Sequence, residues 1–249
     1  MNILVCISNV PDTTTKIRFK ENQTKFEDSG VQWIINPWDE LALTRALELK
    51  EKSGGKISKI TVITVGEQTV EPTLRKALAV GADNAIRIDA PPSDAYFVAA
   101  QLAEATKAEE YEIILCGIES SDHNGAAVGG MLSEFLNIPS VSSVSSLDIN
   151  NDKIIINREI EGGKEAIEMN TPLIAIVQKG IALDPRIPAM RGIMMARSKP
   201  LAVQPPTAME SLTEVENYEL PTAKAACKMV DAENTDELVS LLANEAKVF

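Results

Sequence analysis

Short apolar runs alternate with amphipathic stretches through the first two-thirds of the chain. The apolar runs are rich in Val, Ile and Leu, which is typical of strands buried on both faces of a sheet. Between them, apolar residues recur at the spacing of a helix that buries one face. We therefore predict an α/β fold with a doubly wound, mostly parallel sheet, because strands alternating with helices are joined by right-handed crossovers. The predicted parallel strands are residues 2–7, 60–65, 84–88 and 112–116.

The first helix has the clearest start signals in the sequence. Asn36 can accept hydrogen bonds from the free amides of a first turn, and Pro37 fits the first helical position. Asp39 and Glu40 place negative charge at the positive end of the helix dipole. The glycines at 54–55 are expected to end this helix.

After Pro139 the pattern changes to apolar runs that lie too close together for helical crossovers. We therefore expect these runs to form antiparallel additions to the sheet. An earlier segment, residues 16–35, mixes apolar side chains with charges and is expected to form an excursion such as a β-hairpin. The predicted antiparallel strands are residues 140–148, 153–160, 163–169 and 173–177.

The C-terminal part of the chain has a different character. Residues 179–206 show no periodicity, and their prolines predict a segment without helix or strand. Only residues 235–247 have a helical pattern, for which Thr235 is the expected cap. We therefore divide the chain into an α/β domain, residues 1–182, and a loop followed by an extended C-terminal arm with a terminal helix, residues 183–249.

Composition and charge narrow the possible partners. The net charge of -12 argues against nucleic acid or an anionic membrane as the main partner, because both favour a basic surface. No apolar stretch reaches the roughly 18 residues of a transmembrane helix, so we expect no membrane insertion. The N-terminal residues lack a basic region and a cleavable apolar segment, so a cytoplasmic location is expected.

Cysteine and histidine are too few to suggest metal or nucleophilic chemistry. The three cysteines, Cys6, Cys116 and Cys227, are far apart and form no C-x-x-C pair. His123 is the single histidine, so we expect no metal site and no histidine-based catalytic set. Cys6 and Cys116 each lie near the end of an apolar strand, where cysteine is more often a small buried residue than a redox thiol.

A candidate ligand site follows from the predicted topology. A strand order of 3-2-1-4 would place the ends of the first and fourth strands at the switch point of the sheet, where doubly wound folds bind ligands. The segments that leave these strands, residues 8–15 and 117–127, are rich in small polar residues. The second leads into a helix N-terminus, whose free amides suit a phosphate.

The residues alone leave two interpretations of these loops open. Ser, Asn and Gly also form ordinary turns, and neither a G-x-G-x-x-G motif nor a P-loop lysine follows a strand. Asp39 could contact a ribose or only complement the helix dipole. Trp38 could be a core or interface residue, or a flavin neighbour. His123 is expected in a loop that faces solvent or ligand.

Several blocks of sequence resemble the electron transfer flavoprotein beta-subunit family. The stretch INREIEGGKEAIEMNTP, residues 156–172, is similar to the family signature, including its Glu-Gly-Gly and its final proline. Further matching blocks are VPDT at residues 10–13, INPWDE at 35–40, LRKALAVGAD at 74–83 and DPRIPAMRGIMMA at 184–196. The resemblance therefore extends over nearly the whole chain.

This resemblance implies a fold like that of the adenine nucleotide alpha hydrolases and a heterodimer with a larger alpha subunit. FAD would lie mainly on the alpha subunit, near the interface, where Thr13 and Trp38 would approach it. The beta chain would hold AMP or, in electron-bifurcating members, a second FAD. The implied cofactor-binding residues are Cys6, Ser8, Thr13, Asn36, Pro37, Trp38, Asp39, Val65, Gly66, Gly117, Asp122, His123, Asn124, Gly125, Ala126, Ala127 and Val128.

The implied function is that of an electron carrier between flavin dehydrogenases, such as acyl-CoA dehydrogenases, and a downstream acceptor, with bifurcation left open. It would transform no metabolite by itself. The implied dehydrogenase contacts are Ile187, Met190, Arg191 and Ile193, with Met190 at the position of an anchoring leucine of the family.

One loop departs from the family pattern. The family's Asp-x-Asp-x-x-Gln is DHNGAA at residues 122–127, which leaves the identity of the nucleotide open. A stand-alone adenine-nucleotide-binding module and an ATP-using enzyme of the same fold are the alternatives.

Overall fold

The computed structural model describes residues 1–151, 153–224 and 226–248. A nine-stranded central sheet carries helices on both faces. The strands are β1 (Asn2–Cys6), β2 (Asn9–Pro11), β3 (Phe19–Lys20), β4 (Lys25–Phe26), β5 (Trp33–Ile35), β6 (Lys59–Val65), β7 (Asn84–Ile88), β8 (Ile113–Gly117), β9 (Ser140–Asn150), β10 (Lys153–Ile160), β11 (Gly163–Met169), β12 (Leu173–Val177) and β13 (Leu201–Gln204). The helices are α1 (Pro37–Lys52), α2 (Glu71–Val80), α3 (Ala95–Thr106), α4 (Val128–Leu136), α5 (Met190–Ala196) and α6 (Thr235–Leu241).

The sheet confirms the predicted doubly wound architecture. Its strand order is β11-β10-β9-β12-β8-β1-β6-β7-β13. The part β7-β6-β1-β8 is the order 3-2-1-4, and its three strand pairs are all parallel. The chain moves outward in one direction from β1 and in the other from β8, so the switch point lies between these two strands.

The prediction that all four late strands are antiparallel additions was wrong for β9 and β12. Strand β12 pairs in parallel with both β8 and β9. Helix α4 is the crossover from β8 to β9, which leaves a gap that β12 fills later. In the described part of the central sheet, only the pairs β9–β10 and β10–β11 are antiparallel. After β11 the chain returns to the gap and forms β12 there. A short connection therefore does not always join neighbouring strands: β11 and β12 are consecutive in the chain but are separated by β10 and β9 in the sheet.

Aliphatic side chains form the core on both faces of the sheet. Alternate residues of β1 point to opposite faces, as the pleat requires. Ile3 and Val5 belong to the layer that packs against α1 and α2, whereas Leu4 belongs to the layer that packs against α3 and α4. The predicted excursion is also present: β3 and β4 form a hairpin, and β5 pairs with β2.

The prediction that residues 179–206 contain no regular element was wrong. Helix α5 begins after Pro188 and ends before Pro200, so the prolines flank it without interrupting it. Strand β13 lies between Pro200 and Pro205 and pairs in parallel with β7. The segment therefore adds the last strand of the central sheet.

The C-terminal helix begins close to its predicted start but has a different cap. The cap is Asn234, whose side chain accepts a hydrogen bond from the Glu237 amide at 3.3 Å. Thr235, the predicted cap, is instead the first helical residue. The α-helix ends at Leu241, and Leu242–Ala246 continue it as a π-helical turn.

Candidate nucleotide-binding site

The buried side chain of Asp39 joins the ends of β1 and β8 at the switch point. Its Oδ2 accepts a hydrogen bond from the Ser8 amide at 2.8 Å, and its Oδ1 accepts one from the Gly117 amide at 2.9 Å. Asp39 lies in the first turn of α1 and is 3% exposed. The start of α1 therefore fixes the two loops relative to each other.

Asn36 holds the loop after β8 from the other side. Its Nδ2 donates to the Glu119 carbonyl at 2.8 Å, and its Oδ1 accepts from the Ser121 amide at 3.1 Å. Its main-chain amide donates to the Ser8 carbonyl at 3.0 Å. The predicted side-chain cap of α1 by Asn36 was wrong, because both polar atoms of its side chain are engaged by this loop.

Burial also changes the protonation of Asp39. Removal from water raises its pKa to about 7, although the hydrogen bonds from Ser8, Asn36 and Gly117 act in the opposite direction. Each carboxylate oxygen already accepts a main-chain hydrogen bond. The side chain therefore organises the site, a role beyond the ribose contact and the dipole effect considered from the sequence.

Gly117 is packed too closely for any side chain. A Cβ atom at this position would lie 2.3 Å from Asp39 Oδ1 and 2.8 Å from Trp38 Cβ. Only glycine therefore allows the β8 end to approach the start of α1. Trp38 and Pro37 are half-buried beside this contact.

Cys6 and Cys116 lie side by side beneath the two loops. Both thiols are buried, and all three cysteines of the chain are free. A hydrogen bond to Cys116, burial and the nearby Asp39 carboxylate raise the pKa of Cys6 well above its ordinary value. Cys6 is therefore a neutral thiol, as expected of a small core residue and not of a reactive nucleophile.

The loop between β8 and α4 is open on its outer side. Asn124 and Ala126 have positive φ angles, and the Asn124 amide donates to the Ser120 carbonyl at 2.8 Å. His123 is exposed, and a Cβ atom on Gly125 would meet open space. Within the described ranges no side chain caps the start of α4, so its first amides are available to an anion.

The remaining predicted residues lie at different distances from this centre. Val65 is the last residue of the neighbouring strand β6, which pairs with β1, and Gly66 follows it. Asp122 accepts a local hydrogen bond from the His123 amide at 2.9 Å, and Ala127 and Val128 form the start of α4. Thr13 lies apart, in an exposed turn after β2. Sequence reasoning missed Arg87, a buried residue beside Gly66 that a polar position in a strand could have indicated.

Comparison with known proteins identifies the family. Residues 23–209 match the electron transfer flavoprotein domain. The chain is 37% identical over 263 residues to the electron transfer flavoprotein subunit beta of Bacillus subtilis, with 100% of both chains covered. It is 36% identical to the subunit beta of Syntrophomonas wolfei, covering 91% of this chain and 88% of the relative. It is 31% identical to the human subunit beta, covering 97% and 96%.

This chain belongs to the electron transfer flavoprotein beta-subunit family. The resemblance carried by the family signature is thereby confirmed. Membership in the electron transfer flavoprotein family gives the chain a role in electron transport as part of a flavoprotein, and relates it to carriers and not to classical enzymes. Of the helices in the described ranges, none combines the length and the apolar character needed to cross a bilayer.

In this family member, the segment with the predicted dehydrogenase contacts is fixed to the body at two points and exposes its side chains elsewhere. The Arg186 guanidinium donates to both carboxylate oxygens of Glu51 on α1, at 2.7 and 2.6 Å. Gly192 packs against α2, where an added Cβ atom would lie 2.3 Å from the Ala79 carbonyl oxygen. The predicted contact residues Ile187, Met190, Arg191 and Ile193 are all exposed on this segment.

Proposed function

We propose that the chain is the beta subunit of a heterodimeric electron transfer flavoprotein that passes electrons from flavin dehydrogenases, such as acyl-CoA dehydrogenases, to a downstream acceptor. The observation that carries the proposal is the clamp formed by Asn36 and Asp39 at the switch point. It builds a rigid binding site from main-chain groups, and its carboxylate is already engaged by two amides. Such a site suits the binding of a nucleotide better than acid–base chemistry on a substrate.

The nucleotide of this subunit is AMP or a second FAD. Both contain an adenosine phosphate, so both fit polar loops that meet beside the start of α4. The wall of the site would comprise the ends of β1, β6 and β8 together with the start of α1. The residues proposed to bind the cofactor are those already named at these ends and in the loop 117–128, with Cys6 beneath them.

The second proposed cofactor, the FAD of the alpha subunit, lies near the subunit interface. Thr13 is exposed and Trp38 is half-buried, so both can meet a flavin that another chain brings to this edge. The chain offers a further surface for the alpha subunit in α6, where none of the helix residues is buried. Leu238 and Val239 expose apolar side chains on this helix.

Residues 183–249 therefore form a partner-binding region with two parts. The loop with α5 is proposed to bind the dehydrogenase, because its exposed apolar side chains are held on a fixed support. Methionine suits a surface that fits several partners, since it is unbranched and polarizable. The arm that ends in α6 is proposed to bind the alpha subunit.

Release of the bound ligand tests the nucleotide site. We expect the chain, expressed together with its alpha subunit and purified, to release AMP or FAD on heating, as identified by mass spectrometry. AMP from this site would indicate an ordinary carrier, and a second FAD would indicate the bifurcating class. Protein that releases only the FAD of the alpha subunit would contradict the proposed site.

A further inference from the structure

Arg87 is a buried cation beside the turn that follows β6. Its side chain is on β7 and the residue is 5% exposed. Its Nη1 donates to the Gly66 carbonyl at 3.0 Å and to Asp89 Oδ1 at 2.5 Å. Its Nε lies 3.2 Å from Glu71 Oε1. The guanidinium thus connects the turn at Gly66 with two carboxylates.

Residues of strand β7 form hydrogen bonds with both main-chain polar groups of Gly66. The Gly66 amide donates to the Ile88 carbonyl at 3.0 Å, and its carbonyl accepts from Arg87. The turn is also closed sterically, because a Cβ atom at Gly66 would lie 2.6 Å from Val70 Cγ1. The position of Gly66 is therefore set by its neighbours and not by its own flexibility.

A buried arginine is retained at such a place only if its charge is compensated. Glu71 and Asp89 supply that compensation as ion pairs, and Nη1 donates both to Asp89 and to the Gly66 carbonyl. Removing the guanidinium would leave the Gly66 carbonyl without this donor and two carboxylates without their counter-ion. The turn at Gly66 would then be less ordered, and a ligand would bind more weakly because binding would have to order the turn.

We propose that Arg87 is a positioning residue of the nucleotide site, which holds the Val65–Gly66 turn in place through the Gly66 carbonyl. This inference rests on the proposed nucleotide site, of which Val65 and Gly66 form the wall at the end of β6. Arg87 needs no contact with the ligand itself. It fixes a strand end in this wall that lies outside the clamp of Asn36 and Asp39.

The test compares arginine variants in the heterodimer with the alpha subunit. AMP and FAD are titrated separately by calorimetry into nucleotide-stripped wild type, Arg87→Lys and Arg87→Met. We expect Arg87→Met to bind about ten-fold or more weakly, and Arg87→Lys to lie between it and wild type. Lysine keeps the charge but lacks the fork that reaches Gly66, Glu71 and Asp89 together.

Arg45 supplies a matched control. It is 8% exposed and, like Arg87, donates to a main-chain carbonyl, that of Leu147, and forms ion pairs with two carboxylates, those of Glu48 and Asp148. It joins α1 to β9, and these partners lie outside the proposed site. Arg45→Met should therefore bind AMP as wild type does, even where its stability falls.

Hydrogen–deuterium exchange of unliganded protein provides a second readout. Amides at residues 66–70 should exchange faster in both Arg87 variants and not in Arg45→Met. If either folded Arg87 variant binds the nucleotide with wild-type affinity, the positioning role is wrong. If Arg87→Met does not fold, the affinity of Arg87→Lys decides the question. Wild type that binds neither AMP nor FAD contradicts the nucleotide site itself, and the inference about Arg87 falls with it.

Discussion

At the scale of single residues, two glycines differ in how closely the protein packs around them. A methyl group at Gly117 would overlap Asp39 and Trp38, whereas one at Gly163, in β11 and outside the proposed site, would meet open space. We expect Gly117→Ala to push the β8 end away from α1 and to lower nucleotide affinity about ten-fold or more, equivalent to about 1.4 kcal/mol. Gly163→Ala should bind the nucleotide as wild type does.

Calorimetric titration of AMP and FAD into both glycine variants, in the heterodimer, checks this prediction. Equal affinities of Gly117→Ala and Gly163→Ala would mean that the approach of β8 to α1 is not needed for binding. Circular dichroism of each variant verifies that the fold has been kept.

Asp39 gives the protein a pH dependence of known sign. Its pKa in the folded protein, raised by burial to about 7, is above the value of about 3.9 expected for an unfolded chain. The folded state therefore binds the proton more tightly. The stability that this group contributes is fully present below about pH 4 and is lost as the pH rises through about 7.

Denaturant unfolding between about pH 5 and pH 8 measures this contribution. The free energy of unfolding should fall with pH more steeply in wild type than in Asp39→Asn, which cannot titrate. Parallel pH profiles of the two proteins would show that Asp39 keeps an ordinary pKa in the folded state.

At the scale of elements, hydrophobic periodicity predicted the strands and helices whose formation depends on burying one of their own faces. The four parallel strands and their helices followed from it, because a strand or helix face that packs inside the protein must be apolar. The direction of β12 did not follow from periodicity. In the chain β12 comes directly after β11, but in the sheet it lies between β8 and β9 and pairs with both in parallel. Helix α5 and strand β13 are stabilised by packing on α2 and pairing with β7, which no local pattern reports.

The position of the candidate site was predictable from the sequence, but the hydrogen bonds within it were not. The strand ends that form it followed from the expected strand order. The actual bonds of Asn36 did not, because the preference of Asn for a helix cap gave way to two hydrogen bonds with a loop 83 and 85 residues away. Arg87 was missed because a single charged residue in a short strand predicts exposure more often than burial.

Helix α5 leads to a prediction about the dehydrogenase contact. Met190 and Met194 are 77% and 73% exposed on this helix, so truncating either should leave the fold, the heterodimer and the flavin content intact. If Met190 is the anchor, Met190→Ala should lose about 1–3 kcal/mol of binding. Electron delivery from an acyl-CoA dehydrogenase should then fall roughly ten-fold or more, and Met194→Ala should lose less.

Stopped-flow reduction of the heterodimer by substrate-reduced dehydrogenase measures the effect of both variants. A Met190→Ala protein that loses its flavin or its alpha subunit, while the remaining carrier accepts electrons normally, would make Met190 a structural residue. The docking assignment would then be wrong.

At the scale of the whole molecule, the arm is attached to the α/β body at successive points before it extends away. The Gln101 side chain exchanges two hydrogen bonds with the main chain of Thr207, at 2.9 and 2.8 Å. Asp94 caps α3 with one oxygen and binds the Leu212 and Thr213 amides with the other. Tyr218 stacks on Phe19 of the β3–β4 hairpin, with ring centroids 5.1 Å apart.

Beyond these points the arm presents α6, in which none of the residues is buried. A helix that buries none of its residues is marginal in water, because most helical stability comes from packing of the apolar face. We therefore propose that the body carries the nucleotide site and that the end of the arm binds the alpha subunit.

The most direct test of this account is visible absorption spectroscopy of the chain, alone and after copurification with an electron transfer flavoprotein alpha subunit from the same organism. We predict a stable complex with a flavin absorption band that bleaches when acyl-CoA and its dehydrogenase are added. The chain alone should show no such electron uptake. A chain that forms no complex with the alpha subunit, and whose mixture with it accepts no electrons while the chain alone turns over ATP, would contradict the account.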